Sequence, residues 1–292
     1  MPKIFRKEKI GNRRIFYLFD KKILSYHKLW GGGGGRLSRI ETKLAILDAK
    51  ISRIDAKTEI TFQSAFSNLH RHPKSYSQLG ADLVAYAIHR CKKDGFYIDI
   101  GANDGVSISN TLLFESLGWQ GFCVEANPKT FQQLRKNRKC DCYNLAVFSK
   151  NVGKMKMATS SASALDSLEI NLTDNHRNRM QYEGGRNEEL QYVDVQTATF
   201  GEIMANYPSI THIDFMSMDI EGSELEALQG IDFDKYTFSL MAIEHNNVAE
   251  ASEKIITLLK SKGYKLLFFN AWDFFFVPND RLGWERPYEL KL

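Results

Sequence analysis

From Phe96 onward, short apolar runs alternate with stretches of helical period. The runs FYIDIG (96–101), GFCVEA (121–126), CYNLAVF (142–148), LQYVDVQT (190–197), HIDFMSMDI (212–220), FSLMAIEH (238–245), YKLLFFN (264–270) and DFFFV (273–277) have the length and residue types of strands. Between them the pattern predicts helices over 107–117, 128–137, 199–206, 222–229 and 247–262. Pro128 falls where a first helical turn tolerates proline. Strand and helix in alternation predict an α/β fold. One segment breaks the rhythm. Residues 160–189 are polar and long for a connection, which predicts a lid or a binding loop.

Upstream, the pattern changes to a heptad repeat. LSRIETK, LAILDAK and ISRIDAK (37–57) put Leu37, Leu44 and Ile51 at first positions and Ile40, Leu47 and Ile54 at fourth positions. This is a coiled-coil seam. Glu41, Asp48 and Asp55 at fifth positions would attract Lys43, Lys50 and Lys57 at seventh positions of a parallel, in-register copy. Self-association through 37–57 is the expectation; an amphipathic helix lying on its own domain is the alternative. Gly31 to Gly35 before it form a flexible spacer, either native or a joint standing in for a removed segment.

Charge changes the picture only after it is divided. The net charge is +4, yet residues 1–28 hold nine Lys/Arg against Glu8 and Asp20, so that segment carries +7 and the rest −3. The main body therefore lacks the bulk charge that suits a nucleic-acid backbone, and no nucleic-acid partner is expected. The basic tail interleaves cations with Phe16, Tyr17, Phe19 and Trp30, a composition suited to peripheral contact with an anionic membrane, at the inner face of the cell membrane. A disordered or hairpin tail is the alternative. No run reaches the roughly 18 apolar residues of a membrane span, and Ile15–Phe19 is too short for a signal-peptide core. The four cysteines form no C-x-x-C pair, which predicts a reduced, cytoplasmic compartment.

The first strand runs into a glycine turn, Gly101-Ala-Asn-Asp-Gly105. A dinucleotide fingerprint needs a second glycine two residues after the first, and a phosphate loop needs a Gly-Lys pair; both are missing. Asp99, Asp104 and Glu125 would repel phosphate and suit a cation. S-adenosylmethionine carries a sulfonium and an ammonium and no phosphate. Glu125, at the predicted end of the second strand, stands where an acidic residue bonds ribose hydroxyls. Asp99 and Gly101 would face the methionine portion, with Asn103, Gly105 and Asn127 as further contacts.

The run SQLGADLVAY…GFYIDIGANDGVSISNTLLFESLGWQGFCVEANPKTFQQLRKNR, with NLAV (144–147), MDIEGSELEALQG (218–230) and IEH (243–245), resembles the FkbM family of S-adenosylmethionine-dependent methyltransferases. The resemblance spans Ser77 to Pro278. It implies a class I methyltransferase sheet of seven strands, the last antiparallel, with the donor at the carboxyl ends of the strands. It also implies transfer to a hydroxyl, often on a sugar or natural product, and places adenine contacts at Asn144 to Val147. The expected organisation is a tail (1–30), a linker (31–36), a heptad helix (37–62) and a methyltransferase domain (63–292).

Asp219 and Glu221 flank the end of one predicted strand, and Glu244 and His245 end the next. Methyl transfer is an in-line displacement in which the acceptor hydroxyl loses a proton. Asp219, Glu221 and His245 are therefore the catalytic candidates, with His245 the natural base near neutral pH. Alternatively Asp219, Glu221 and Glu244 would bind Mg²⁺ and lower the pKa of a vicinal diol. His176, Arg177 and Arg179 in the insertion would grip a phosphate or an acidic glycan. The expected acceptor is a sugar of a bacterial surface glycan or its precursor. A small natural product, or an inactive coiled-coil scaffold, is the competing reading.

Overall fold

The computed structural model describes residues 5–10, 13–18, 21–27, 74–89, 92–184, 189–246, 248–270 and 272–280. The glycine run and the heptads of 37–57 lie outside them. Within 5–27 the backbone forms a three-stranded antiparallel meander of β1 (Phe5–Ile10), β2 (Arg13–Leu18) and β3 (Lys21–His27). No strand is among the elements the apolar pattern picks out there. The signal is Gly11-Asn12 between two runs of six, a pair that favours a two-residue hairpin connection.

The larger unit is built on a seven-stranded sheet of β4 (Phe96–Ile100), β5 (Gln120–Val124), β6 (Asp141–Tyr143), β11 (His212–Met218), β12 (Thr237–Glu244), β13 (Tyr264–Phe269) and β14 (Asp273–Pro278). Their order is β13-β14-β12-β11-β4-β5-β6. The last strand, β14, runs antiparallel to both of its neighbours, while β12, β11, β4, β5 and β6 pair in parallel. This is the class I methyltransferase arrangement. Its strands are apolar on both sides because both faces are covered. Ile98, Met216, Met241 and Phe276 enter one core cluster, while Tyr97, Phe215, Leu240 and Phe275, one residue away on each strand, enter the other. The chain leaves β4 toward β5 on one side and returns as β11 on the other. That reversal of strand order opens a crevice at the carboxyl ends of β4 and β11.

The helix of residues 128–137 stands where the pattern placed it. Asn127 caps it by accepting from the N–H groups of Lys129 and Thr130. The expected helix over 107–117 contracts to Leu112–Ser116. Asp104 takes the N–H groups of Val106 and Ser107, and Ser109 Oγ takes those of Thr111 and Leu112, so side chains hold this backbone in turns. The insertion also folds. Strands β8 (Lys154–Thr159) and β10 (Gln191–Ala198) pair antiparallel and bracket it, and a two-residue strand, β7 (Ala146–Val147), pairs with β10 in parallel. Between β8 and β10 lie a two-residue strand, β9 (Ser167–Leu168), and a helix, Asp174–Glu183. Ala158, Leu165, Met180 and Leu190 give this segment a small core of its own.

Candidate active site

Gly101 follows β4 with φ +88°, and a Cβ there would lie 1.7 Å from the carbonyl oxygen of Asp219. Only glycine lets the ends of β4 and β11 come this close. Gly105 is glycine for a different reason. At φ +80°, its Cβ would meet Arg138 Cγ and Leu134 Cδ1, each at 2.6 Å.

Arg138 supports the turn from below. Its buried guanidinium donates to Glu115 (2.9 Å), Tyr97 Oη (3.0 Å) and Thr111 Oγ1 (3.1 Å), and lies 3.8 Å from Asp99. Asp99 in turn accepts from Thr111 Oγ1 at 2.6 Å. Burial raises the Asp99 carboxyl, and Arg138 and the Thr111 hydrogen bond oppose that rise. Sequence alone gives no sign of Arg138, which is one of four cations in RKNRK, the other three being ordinary surface charge by pattern.

Glu125, at the end of β5, accepts from the backbone N–H of Asn103 (3.0 Å) and of Asn127 (2.7 Å). Burial pushes its carboxyl up to about 7 against those two bonds. Asn144 donates to the carbonyls of Glu125 and Ala126. Asp99, Gly101, Asn103, Glu125, Asp219 and Glu221 all line one cleft, together with Asn110, Val147, Ser163 and Asp166. Gly105, Asn127, Asn144, Glu244 and His245 stand outside that lining, and the first three act on the backbone that shapes it.

At the other side of the cleft, Asp219, Glu221 and Glu244 bring carboxylate oxygens within 4.8 Å of one another. The loop that carries two of them is tightly held. Glu221 sits at φ +49°, uncommon for a residue with a side chain, and Gly222 follows at +105°. Glu224 accepts from the N–H groups of Ile220 and Gly222, and Ser167 Oγ donates to the Glu221 carbonyl at 2.7 Å. The turn is thus fixed from the following helix and from the insertion. Glu224 is more than a favourable charge at a helix start.

Burial dominates the acidity of this cluster. It lifts Asp219 to about 6, a rise that a hydrogen bond from Glu244 opposes. It lifts Glu221 to about 9, with the Asp219 charge adding to the rise, and holds Glu244 well above the carboxylate range. Oε2 of Glu221 and Oε2 of Glu244 are buried without a hydrogen-bond partner.

His245 is placed differently from these acids. Its ring packs on Phe274 with centroids 4.4 Å apart, and its Nε2 faces the Asn270 carbonyl at 3.5 Å. Burial lowers its pKa. The histidine that faces the acids is His176 of the insertion, with Nδ1 3.6 Å from Glu221 Oε2. Arg179, one helical turn on, lies over the Trp272 ring at 5.3 Å. Arg177 bonds Tyr192 Oη, away from the cluster.

A sheet of this order, with an acid-lined cleft at its reversal point, defines a class I S-adenosylmethionine-dependent methyltransferase. Residues 99–266 match the family model of the methyltransferase FkbM domain, and the chain belongs to that family. Among solved structures it is similar to a precorrin-6y C5,15-methyltransferase from Geobacter metallireducens GS-15, at 15% identity over 68% of this chain and 86% of that one, with a TM-score of 0.35. It is likewise similar to a TehB-like SAM-dependent methyltransferase from Corynebacterium glutamicum ATCC 13032 Kitasato, at 10% identity over 76% of this chain and 98% of that one, with a TM-score of 0.35. No curated protein matches the sequence. No helix among the described residues is long and apolar enough to cross a membrane.

Proposed function

We propose that the chain transfers the methyl group of S-adenosylmethionine to a hydroxyl of a sugar, in a bacterial surface glycan or its precursor. The observation that carries this reading is the convergence of Asp219, Glu221 and Glu244 beside the donor cleft. In the displacement, a lone pair of the acceptor oxygen forms the new C–O bond as the C–S bond breaks. S-adenosylhomocysteine leaves, and the hydroxyl proton must go to a base. Asp219, held near 6, is ionised at neutral pH and stands on the cleft wall. It is a better-placed acceptor for that proton than His245.

In the donor site, Glu125 receives the ribose hydroxyls, with Asn103 beside it. Asp99 and Gly101 flank the methionine portion, and Asn144 supports the adenine-binding backbone. The three carboxylates also fit a divalent cation, since two of their buried oxygens have no hydrogen-bond partner. Mg²⁺ bound there would acidify a sugar diol. A saccharide acceptor is supported by Arg179, a cation that interacts electrostatically with Glu221 and Glu244 and lies 5.3 Å from the Trp272 ring centroid. Residues 37–57 would associate chains, and the +7 tail would touch an anionic leaflet.

Mass spectrometry of surface glycans with and without the gene tests the reading. Loss of one methyl on a sugar hydroxyl is expected, restored by the native gene and not by Asp219→Ala. An unchanged glycan, with a methylated small molecule lost instead, would move the acceptor to a natural product.

A further inference from the structure

We infer that His176 completes a mixed imidazole–carboxylate site with Asp219, Glu221 and Glu244, selective for Mn²⁺ over Mg²⁺. The inference rests on the cation reading of the carboxylates above and adds to it a ligand and a class of metal.

Two facts fix the ring of His176. Its Nε2 lies 2.7 Å from the carbonyl oxygen of Leu165. A carbonyl only accepts, so Nε2 carries the hydrogen and, in the neutral ring, Nδ1 presents a lone pair. That lone pair faces Glu221 Oε2 at 3.6 Å, beyond the 2.7–3.2 Å of a hydrogen bond. Glu221 is 6% exposed and Glu244 5% exposed, and Oε2 of each has no hydrogen-bond partner. Unpartnered polar atoms this deeply buried are rare and need a partner. What belongs between converging electron-pair donors is a cation.

Ligands about 2.1 Å from one ion stand about 3 Å apart when adjacent and about 4.2 Å apart when opposed. The three carboxylates lie within 4.8 Å of one another, close to that span. His176 stands at the edge of the group, 3.6 Å from Glu221, and would move inward with its helix to share the ion. A hydrogen bond from the far ring nitrogen to a carbonyl is also how metal-binding histidines are held in the required tautomer. Three carboxylates around a divalent ion leave one net negative charge, and Arg179, which interacts electrostatically with Glu221 and Glu244, offsets it. Mg²⁺ prefers an all-oxygen shell with several waters, whereas an imidazole nitrogen among carboxylates suits a first-row transition ion.

The site also gives the insertion a task. His176 comes from the helix between β8 and β10, and the acids from the sheet. An ion shared between them would tie the insertion down over the cleft.

The test uses the full chain stripped with EDTA and titrated with MnCl₂, followed by electron paramagnetic resonance. One bound Mn²⁺ with strong ¹⁴N modulation in the spin echo is expected, changing to the ¹⁵N pattern when histidine is ¹⁵N-labelled. His176→Gln should abolish the coupling and weaken Mn²⁺ binding about 10–100-fold. It should shift Mg²⁺ affinity no more than about threefold, and His245→Gln should keep the coupling. The labelling arm needs only the wild-type chain, so the test survives a variant that folds poorly. Bound Mn²⁺ without nitrogen coupling, or coupling that persists in His176→Gln, would overturn the histidine ligand and leave the carboxylate site standing. No binding at millimolar Mn²⁺ would overturn both.

Discussion

At the scale of single residues, the two glycines of the turn separate cleanly. Gly101 was legible as a cofactor-turn glycine, but its measurable constraint is the Asp219 carbonyl 1.7 Å from any added Cβ. Gly101→Ala should therefore part β4 from β11, cost more than about 3 kcal/mol and abolish S-adenosylhomocysteine binding by calorimetry. Normal binding by that variant would show that the strand ends can separate without loss. The acids give a second prediction. A buried carboxyl raised in the folded state contributes stability that is full below its unfolded pKa and is lost as pH rises through its folded pKa. Glu221 rises from 4.5 to about 9 and Asp219 from 3.8 to about 6, so stability should fall across pH 4 to 9 when no divalent ion is present. Glu221→Gln removes the larger contribution. In EDTA its Tm should exceed that of wild type by about 2–4 °C at pH 8 and converge with it at pH 5. A wild-type Tm flat from pH 5 to 9 would contradict the assignment.

At the scale of elements, sequence pattern located the sheet strands well and located the supports of the site poorly. Strands buried on both faces announce themselves as apolar runs, and the 128–137 helix carries its own cap and proline. Arg138 announces nothing, because its partners Tyr97 and Asp99 come from β4 and Thr111 and Glu115 from the cap and body of the 112–116 helix. His176 was legible as an anion-gripping residue of the insertion and not as a neighbour of the acids, since Glu221 is 45 positions away by number. Arg138→Met would leave Glu115 and Asp99 without their cation, at a cost of about 3–5 kcal/mol. The double variant with Glu115→Gln should recover part of that, read by urea unfolding. The insertion is separable in the same sense. Met180 is fully buried in a cluster that shares no residue with the two sheet cores. Met180→Asp should therefore speed amide exchange over 163–183 while β4, β11 and β12 stay protected. Loss of protection in those strands would show that the insertion and the sheet unfold together.

At the scale of the whole molecule, the family match begins at residue 99, and the heptads stand before it. Nothing in methyl transfer calls for three heptads with a single seam, and we propose that the pattern serves association. Leucine and isoleucine mix at the core positions, which leaves strand number open. The charges are more definite: acids at every fifth position and lysines at every seventh attract between parallel, in-register copies, and an antiparallel pairing would set like charges together. Sedimentation equilibrium of the full chain should give at least twice the 33.5 kDa of one chain. Replacing Leu44 and Ile51 with lysine puts two cations per chain into the seam and should return the monomer mass. The S-adenosylhomocysteine affinity per chain should stay the same, because the cleft is built entirely from residues 99–223. A reversal of the fifth-position acids to lysine should weaken association less than the core change, and raised salt should narrow the difference. A wild-type monomer that persists at high concentration would remove the coiled coil and leave an amphipathic helix lying on its own domain.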